Sequence, residues 1–405
     1  VPAFKQEVVM AKALEDILVL DLTQVLAGPF AVTILADFGA DVIQIEPVEG
    51  DYNRRLTASR PIETQRLADW TKRRNRRSIT LNLRSPKGKE IFLKLVKQAD
   101  VVVQNFSPGT MEKLGLGYDR LRESNPEIIY CAMSGFGQTG PYKDRLAYDS
   151  IIQAASGIMS MTGFPDAPPV RVGPNVADYT GAVYAVIGIL LALHYKQRTG
   201  KGQMIDCAIF DAMCHWTIHE IGGIIATGKE RVGNRHPWAI QDIYETRDGQ
   251  NLLFAIQTDA QWESFLRLVG KEELIAEKWD FNTRIQRSEE IYPLAIEWAK
   301  GKTLEEAIEE LTAVRIPNSA IIRAMDLETD RQVLDRQMCN VIEDPVVGAV
   351  RGVIGVAPKL SETPGSIDVA RGITELSQHT EEILTGLLGY REEDVAMLKR
   401  EGVIA

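Results

Sequence analysis

The sequence predicts an α/β protein, and three observations predict it. In the first half, β-rich runs alternate with helical segments. Their apolar character suits strands of a mostly parallel sheet buried on both faces. At 405 residues the chain exceeds the usual single core, so a second, smaller domain or a substantial insertion is expected.

Taken in order, Ile17–Leu22 reads as the first strand, broken by Ala27-Gly28-Pro29. A helix from Pro29 to Phe38 follows, with proline at its first position and Gly39 at its C-cap. Asp41–Glu46 is the second strand of a βαβ unit, and Ile79–Leu83 the next. A helix opening at Ser85-Pro86 runs to Gln98, followed by strands Asp100–Val103 and Ile128–Met133. The apolar run Ala182–Leu193 predicts a long helix that stops at Arg198-Thr199-Gly200-Lys201-Gly202. A strand then leads into a second long helix, about Asp206 to Ile221. Beyond Gly222-Gly223 the texture becomes turn-rich from Gly228 to Pro237. A hairpin around Arg247-Asp248-Gly249 and charged amphipathic helices over Asp259–Leu311 complete a smaller domain. Val/Gly strands over Val341–Val356 and an acidic helix Gln378–Leu388 close the chain. The expected divisions are 1–222, 223–329 and 330–405.

A net charge of −10 argues against a nucleic-acid binder as a whole. Cys131, Cys207, Cys214 and Cys339 lack metal-ligand spacing and suit reduced cytosolic thiols. No apolar secretory region occurs in Val1–Glu15, and Met10-Ala11-Lys12 offers a start with Val1–Val9 as an extension. The expected location is the cytoplasm. The run after Asp178 is slightly short of a membrane span, so a buried core helix is expected there.

Asp178, in Val176-Ala177-Asp178-Tyr179-Thr180-Gly181, stands just before that run. Unpaired N–H groups at a helix start favour a carboxylate, or an oxyanion grown on what it attacks; the simpler alternative is an N-cap. Gly135-Phe136-Gly137-Gln138-Thr139-Gly140 matches GxGxxG, but Pro141-Tyr142-Lys143-Asp144 follows where an apolar helix should run. A glycine-lined loop is expected instead. Lys72-Arg73-Arg74-Asn75-Arg76-Arg77 is either a solvated turn or a polyanion pocket. His215 and His219 lie four apart without an acid pair, so packing or an interface is expected rather than a metal.

Six further segments occur in an order that resembles class III CoA-transferases. They are Thr23–Pro29, Gly39–Glu46, Asn75-Arg76-Arg77-Ser78, Asn105-Phe106-Ser107-Pro108-Gly109, Ser134–Pro141 and Gly200-Lys201-Gly202-Gln203. Gln378-His379-Thr380 resembles that family's closing motif. The resemblance implies a large Rossmann-like domain from both chain ends, a small inserted domain, and two subunits interlocked like chain links. It implies Asp178 as the catalytic residue, with CoA contacts on Val25, Ala27, Asn75, Arg76, Asn105, Phe106 and Lys113. CoA and acyl-CoA are then substrates, with no tightly bound cofactor and no nucleic-acid or membrane partner.

A carboxylate with an ordinary pKa near 4 is ionised at neutral pH and attacks a thioester without a general base. The expected course is a mixed anhydride on Asp178, then an aspartyl-CoA thioester. Such a site must exclude water, and Gly228–Trp238 is the candidate covering loop. The related 2-methylacyl-CoA racemases carry His-Asp where this chain has Tyr148-Asp149. Tyrosine is a poor base at neutral pH, which favours transfer over racemisation and leaves Asp149 a supporting or capping role. A CoA-binding protein without activity is the third reading, and Asp178 speaks against it. Formyl-CoA:oxalate transferases have glutamine at Leu26 and glycines at Asn234-Arg235-His236-Pro237, which disfavours oxalate. Arg235 or His236 could hold a second carboxylate, so succinyl-CoA with a dicarboxylic or hydroxydicarboxylic acceptor is preferred.

Overall fold

The computed structural model describes residues 12–57, 60–164, 166–228 and 240–405. In its first compact unit the chain builds β1 (Leu18–Asp21), α1 (Ala27–Asp37), β2 (Asp41–Glu46), α2 (Ile62–Lys72), β3 (Arg76–Thr80) and α3 (Pro86–Val96). It continues with β4 (Val101–Gln104), β5 (Ile129–Ser134), α4 (Asp149–Ala155), α5 (Val176–Thr199), β6 (Met204–Ala208) and the start of α6 (Ile209–Thr227), whose residues after Trp216 belong to the second unit. The strands form one sheet in the order β3-β2-β1-β4-β5-β6, every pairing parallel. Leu20 lies opposite Ile43 on one side and Val102 on the other. The chain therefore leaves β1 in one direction and returns through β4 on the opposite side. Where strand order reverses in this way, the loops at the carboxyl ends part and leave a crevice.

Most boundaries follow the expected physics. Ser85 caps α3 by accepting the Gly88 N–H at 2.9 Å, and Gly200 ends α5 in the left-handed region. Three differ. Helix α1 starts two residues before the predicted Pro29, because the turn is made at Val25, whose φ is 70°. Pro29 then falls within the first turn, where its missing N–H costs nothing. Strand β3 begins at Arg76 rather than Ile79, since the arginines that disguise it are buried against acids. The terminal acidic helix is only Thr380–Glu382 continued by a π-helical turn, Ile383–Leu387; after Gly389, at φ 71°, a separate α10 (Glu392–Arg400) follows.

This unit runs up to Ser156 and includes Gly173–Trp216 and Glu328–Ala405. The last of these segments covers the open edge of β3. Ser78 N–H donates to His379 Nδ1 at 3.1 Å, His379 N–H donates to Ser78 O at 3.0 Å, and Thr374 Oγ1 donates to Arg76 O at 2.7 Å. Helix α5 is the one described helix long and apolar enough to cross a membrane; half of its apolar window is buried, and it packs on α1, α4, β5 and β6.

The second unit comprises Gly157–Val172 and Thr217–Leu327, so it takes in a segment that the sequence division had placed before residue 223. It holds an antiparallel sheet of β7 (Ile240–Glu245), β8 (Asn251–Ile256) and β9 (Asn318–Ala320). Its helices include α7 (Asp259–Leu268), α8 (Ser288–Lys300) and α9 (Leu304–Ala313), around buried Phe254, Trp262, Phe265 and Trp298. Thr258 and Thr303 open α7 and α9 with capping boxes to Gln261 and Glu306. The hairpin of β10 (Cys339–Asp344) and β11 (Gly348–Ile354) belongs to the first unit and packs on α2.

Candidate active site

At the crevice between β1 and β4, one side chain ties the two loops together. Asn105 accepts the Gln24 N–H at 2.8 Å through Oδ1 and donates to Gln24 O at 2.7 Å through Nδ2. Asn53 Nδ2 donates to the next carbonyl, Val25 O, at 2.6 Å. These clamps hold a β-branched residue at positive φ, a conformation that costs about 1–3 kcal/mol and persists only when its surroundings impose it. Gly28 makes the turn close-packed, since a Cβ there would lie 2.5 Å from Thr23 Cβ. The turn presents Leu26 and Ala27 to a cavity of about 140 Å³, whose walls also include Asn105, Ser134, Gly135, Tyr148 and Asp178.

Asp178 is the third residue of α5, one turn in from Asn175, so it is not the N-cap. That work is done by Asp149, from the start of α4. Its buried carboxylate accepts the Ala177 N–H at 2.9 Å and the Asp178 N–H at 3.3 Å through Oδ1, while Oδ2 accepts from Gln153 Nε2 at 2.7 Å. Burial, and secondarily the Asp149 carboxylate, push the Asp178 pKa up to about 7. The ordinary carboxylate pKa expected from the sequence is thereby corrected: near neutrality a large share of Asp178 is protonated.

A second cavity of about 630 Å³ opens beside the first, with Gln24, Glu46, Leu81, Arg84, Phe106 and Lys113 in its walls. Gln24 and Val25, and Asn105 and Phe106, each place one residue in the wall of one cavity and the next in the other.

The profile of CoA-transferase family III matches residues 14–380. The chain belongs to this family. It is 37% identical over 404 residues to the succinyl-CoA–D-citramalate CoA-transferase of Chloroflexus aurantiacus, covering 97% of this chain and 98% of that protein. It is 37% identical over 362 residues to the succinyl-CoA:mesaconate CoA-transferase of Haloarcula marismortui, covering 87% and 91%. A CAIB/BAIF family protein from Brucella suis superposes with a TM-score of 0.77 at 32% identity, over 93% of this chain and 99% of the other.

In this family III CoA-transferase the expected contact residues fall into three groups. Val25, Ala27 and Asn105 line the Asp178 cavity, and Phe106 and Lys113 the larger one. Asn75 and Arg76 line neither, and here the sequence expectation needs correction. Asn75 Nδ2 donates to Asp37 Oδ1 at 2.9 Å and Ser366 O at 2.8 Å, and Asn75 Oδ1 accepts the Asp368 N–H at 2.8 Å. Arg76 is fully buried, paired with Asp21 and donating to Thr33 Oγ1 at 2.6 Å. An arginine sealed among its own acceptors presents nothing to a phosphate. Asn234, Arg235, His236 and most of the proposed covering loop lie outside the described residues.

The glycine loop after β5 is packed closely against the chain itself. Gly135 lines the Asp178 cavity, where a Cβ would meet Ala147 Cβ at 2.4 Å. His215 Nδ1 lies 2.6 Å from the Tyr184 hydroxyl, and among the described residues no cluster of His, Cys, Asp or Glu is arranged to hold a metal. Sequence reasoning missed Asn53 and Gln153. Asn53 acts on a backbone carbonyl from a distant turn and Gln153 on the Asp149 carboxylate one turn earlier in α4, a role that shows only once α5 is placed beside it.

Proposed function

We propose that this transferase moves CoA from succinyl-CoA to a dicarboxylic or hydroxydicarboxylic acid through covalent intermediates on Asp178. The observation that carries this reading is Asp178, the one carboxylate among the described residues lining a small cavity, beside a groove of about 630 Å³. An Asp178 oxygen attacks the thioester carbonyl; the C–S bond breaks and CoA leaves as thiolate, giving an acyl-aspartyl anhydride. The thiolate then attacks the aspartyl carbonyl and expels succinate, leaving an aspartyl-CoA thioester. The acceptor carboxylate attacks that thioester to release CoA thiolate again, which takes the acyl group from the second anhydride and regenerates Asp178. A cavity of about 140 Å³ limits water beside the anhydride.

The donor and acceptor class are supported by the two named relatives, whose acceptors, citramalate and mesaconate, are dicarboxylic acids. The Phe106 and Lys113 groove is assigned to CoA, with lysine meeting a phosphate. Lys113→Ala is expected to raise KM for the donor about tenfold and leave the acceptor KM unchanged, whereas Arg235→Ala does the reverse. Steady-state kinetics with each substrate varied in turn checks the pair, and an unmoved acceptor KM in Arg235→Ala removes that residue from the site.

A homodimer is part of the proposal. Exposed Val183, Ile187, Leu190, Leu191 and Tyr195 form an apolar stripe at helical spacing on α5, the kind of surface a second copy covers. The deciding experiment mixes purified protein with a panel of acyl-CoA donors and carboxylic acids and follows products by mass spectrometry, with hydroxylamine as a trap. New dicarboxylyl-CoA and a hydroxamate on Asp178 are expected, from a species of twice the chain mass by light scattering. Exchange of the α-hydrogen of a 2-methylacyl-CoA without CoA transfer would assign the protein to the racemase class instead.

A further inference from the structure

We propose that Asp149 is a positioning residue for the reaction: its buried carboxylate, held by Gln153, grips the first N–H groups of α5 and so fixes the placement and the basicity of the Asp178 nucleophile. This rests on the proposed role of Asp178.

The geometry carries the argument. A helix start offers free N–H groups that stabilise an anion nearby, and a carboxylate in the first turn of α5 is placed to draw on them. In this protein Asp149 Oδ1 takes the N–H groups of Ala177 and of Asp178 itself. Asn175, at the N-cap position, contributes no side-chain cap bond, so the grip comes from outside the helix. The other Asp149 oxygen is anchored by Gln153 one turn along α4. The positive end of α5 is thus spent on a carboxylate that does not react, while the one that does keeps its electrons more available. Among the described residues of the cavity wall and the helix, the other titratable groups beside Asp178 are Tyr148 and Tyr179. The walls from α1, β5 and α6 contribute Ala27, Met133, Ser134 and Ile209, none of which titrates in the working range. Burial raises the Asp178 pKa most, and Asp149 adds to it in the same direction.

Asp149→Asn keeps an oxygen for the two N–H groups but removes the charge, and Asp149→Ala removes both. In Asp149→Asn the acid limb of the kcat profile is expected to move to lower pH, with donor KM within about twofold of the parent. In Asp149→Ala kcat is expected to fall roughly ten- to a hundredfold at unchanged donor KM, as misplacement of a nucleophile does. If Asp149→Ala fails to fold, the pH profile of Asp149→Asn decides alone. An unmoved acid limb in Asp149→Asn overturns the proposal, even if Asp149→Ala is unstable, because a purely structural cap would not set that limb. CoA transfer that survives in Asp178→Ala instead overturns the role of Asp178, an outcome distinct from any result at Asp149.

Discussion

Asp178→Asn is expected to abolish CoA transfer, by about a thousandfold or more, and at the same time to make the protein more stable above neutral pH. The carboxamide has nearly the shape of the carboxylate but is a poor nucleophile, and no other lining residue of the cavity offers a comparable one. The stability gain follows from linkage. In the folded chain the Asp178 pKa is raised from 3.8 to about 7. The protonated form is therefore favoured by folding, and its contribution is complete below about pH 4 and lost as pH rises through 7. An amide never acquires the buried charge. At pH 8 its midpoint in urea should correspond to up to about 4 kcal/mol more stability than the parent, with little difference at pH 4. Loss of transfer without the stability crossover would mean that the carboxylate is solvated in the working enzyme. Parent activity should rise with pH through about 7, as the attacking form becomes populated.

Arg76→Ala is expected to destabilise the fold by about 3–5 kcal/mol, the cost of leaving a buried carboxylate without its partner. Asp21 and Arg76 are both fully buried, and Thr23 donates its N–H and Oγ1 to Asp21 Oδ1 at 2.8 and 2.6 Å. Burial pushes Asp21 up and Arg76 down; their pairing is the largest offset, joined at Asp21 by the Thr23 hydrogen bonds. Adding Asp21→Asn should recover much of the loss, because the stranded charge is then gone. Urea unfolding of the single and double variants measures both effects. A stable Arg76→Ala protein with weakened donor affinity would return Arg76 to the CoA site from which its burial removes it.

The strands of the sheet were legible because their apolar residues are contiguous in sequence, and α5 because its apolar run is long. Gly200 as a helix stop was equally local. The failures share a physical cause. Whether Arg76 meets a phosphate or an aspartate depends on Asp21, which β1 brings beneath it and no spacing rule connects to it. The charged run hid the start of β3 for the same reason, since Arg74 and Arg76 look solvated until Asp37 and Asp21 are placed. The raised pKa of Asp178 depends on burial and on a carboxylate from another helix. Val25 reads as an ordinary apolar residue, yet Asn53 and Asn105 hold it in a conformation that its own side chain opposes.

The segment from Ile373 to His379 lies against β3, so the edge of the main sheet is sealed by residues some three hundred positions further along the chain. During synthesis the first strands emerge with an exposed edge and must wait for some three hundred residues of translation before their cover arrives. An unpaired edge held open that long is a template for pairing with a neighbouring nascent chain. The contacts that close it span about three hundred residues, the kind of non-local pairing that forms late in folding. The segment is thus a latch on the sheet edge, set by contacts that the first strands cannot make among themselves.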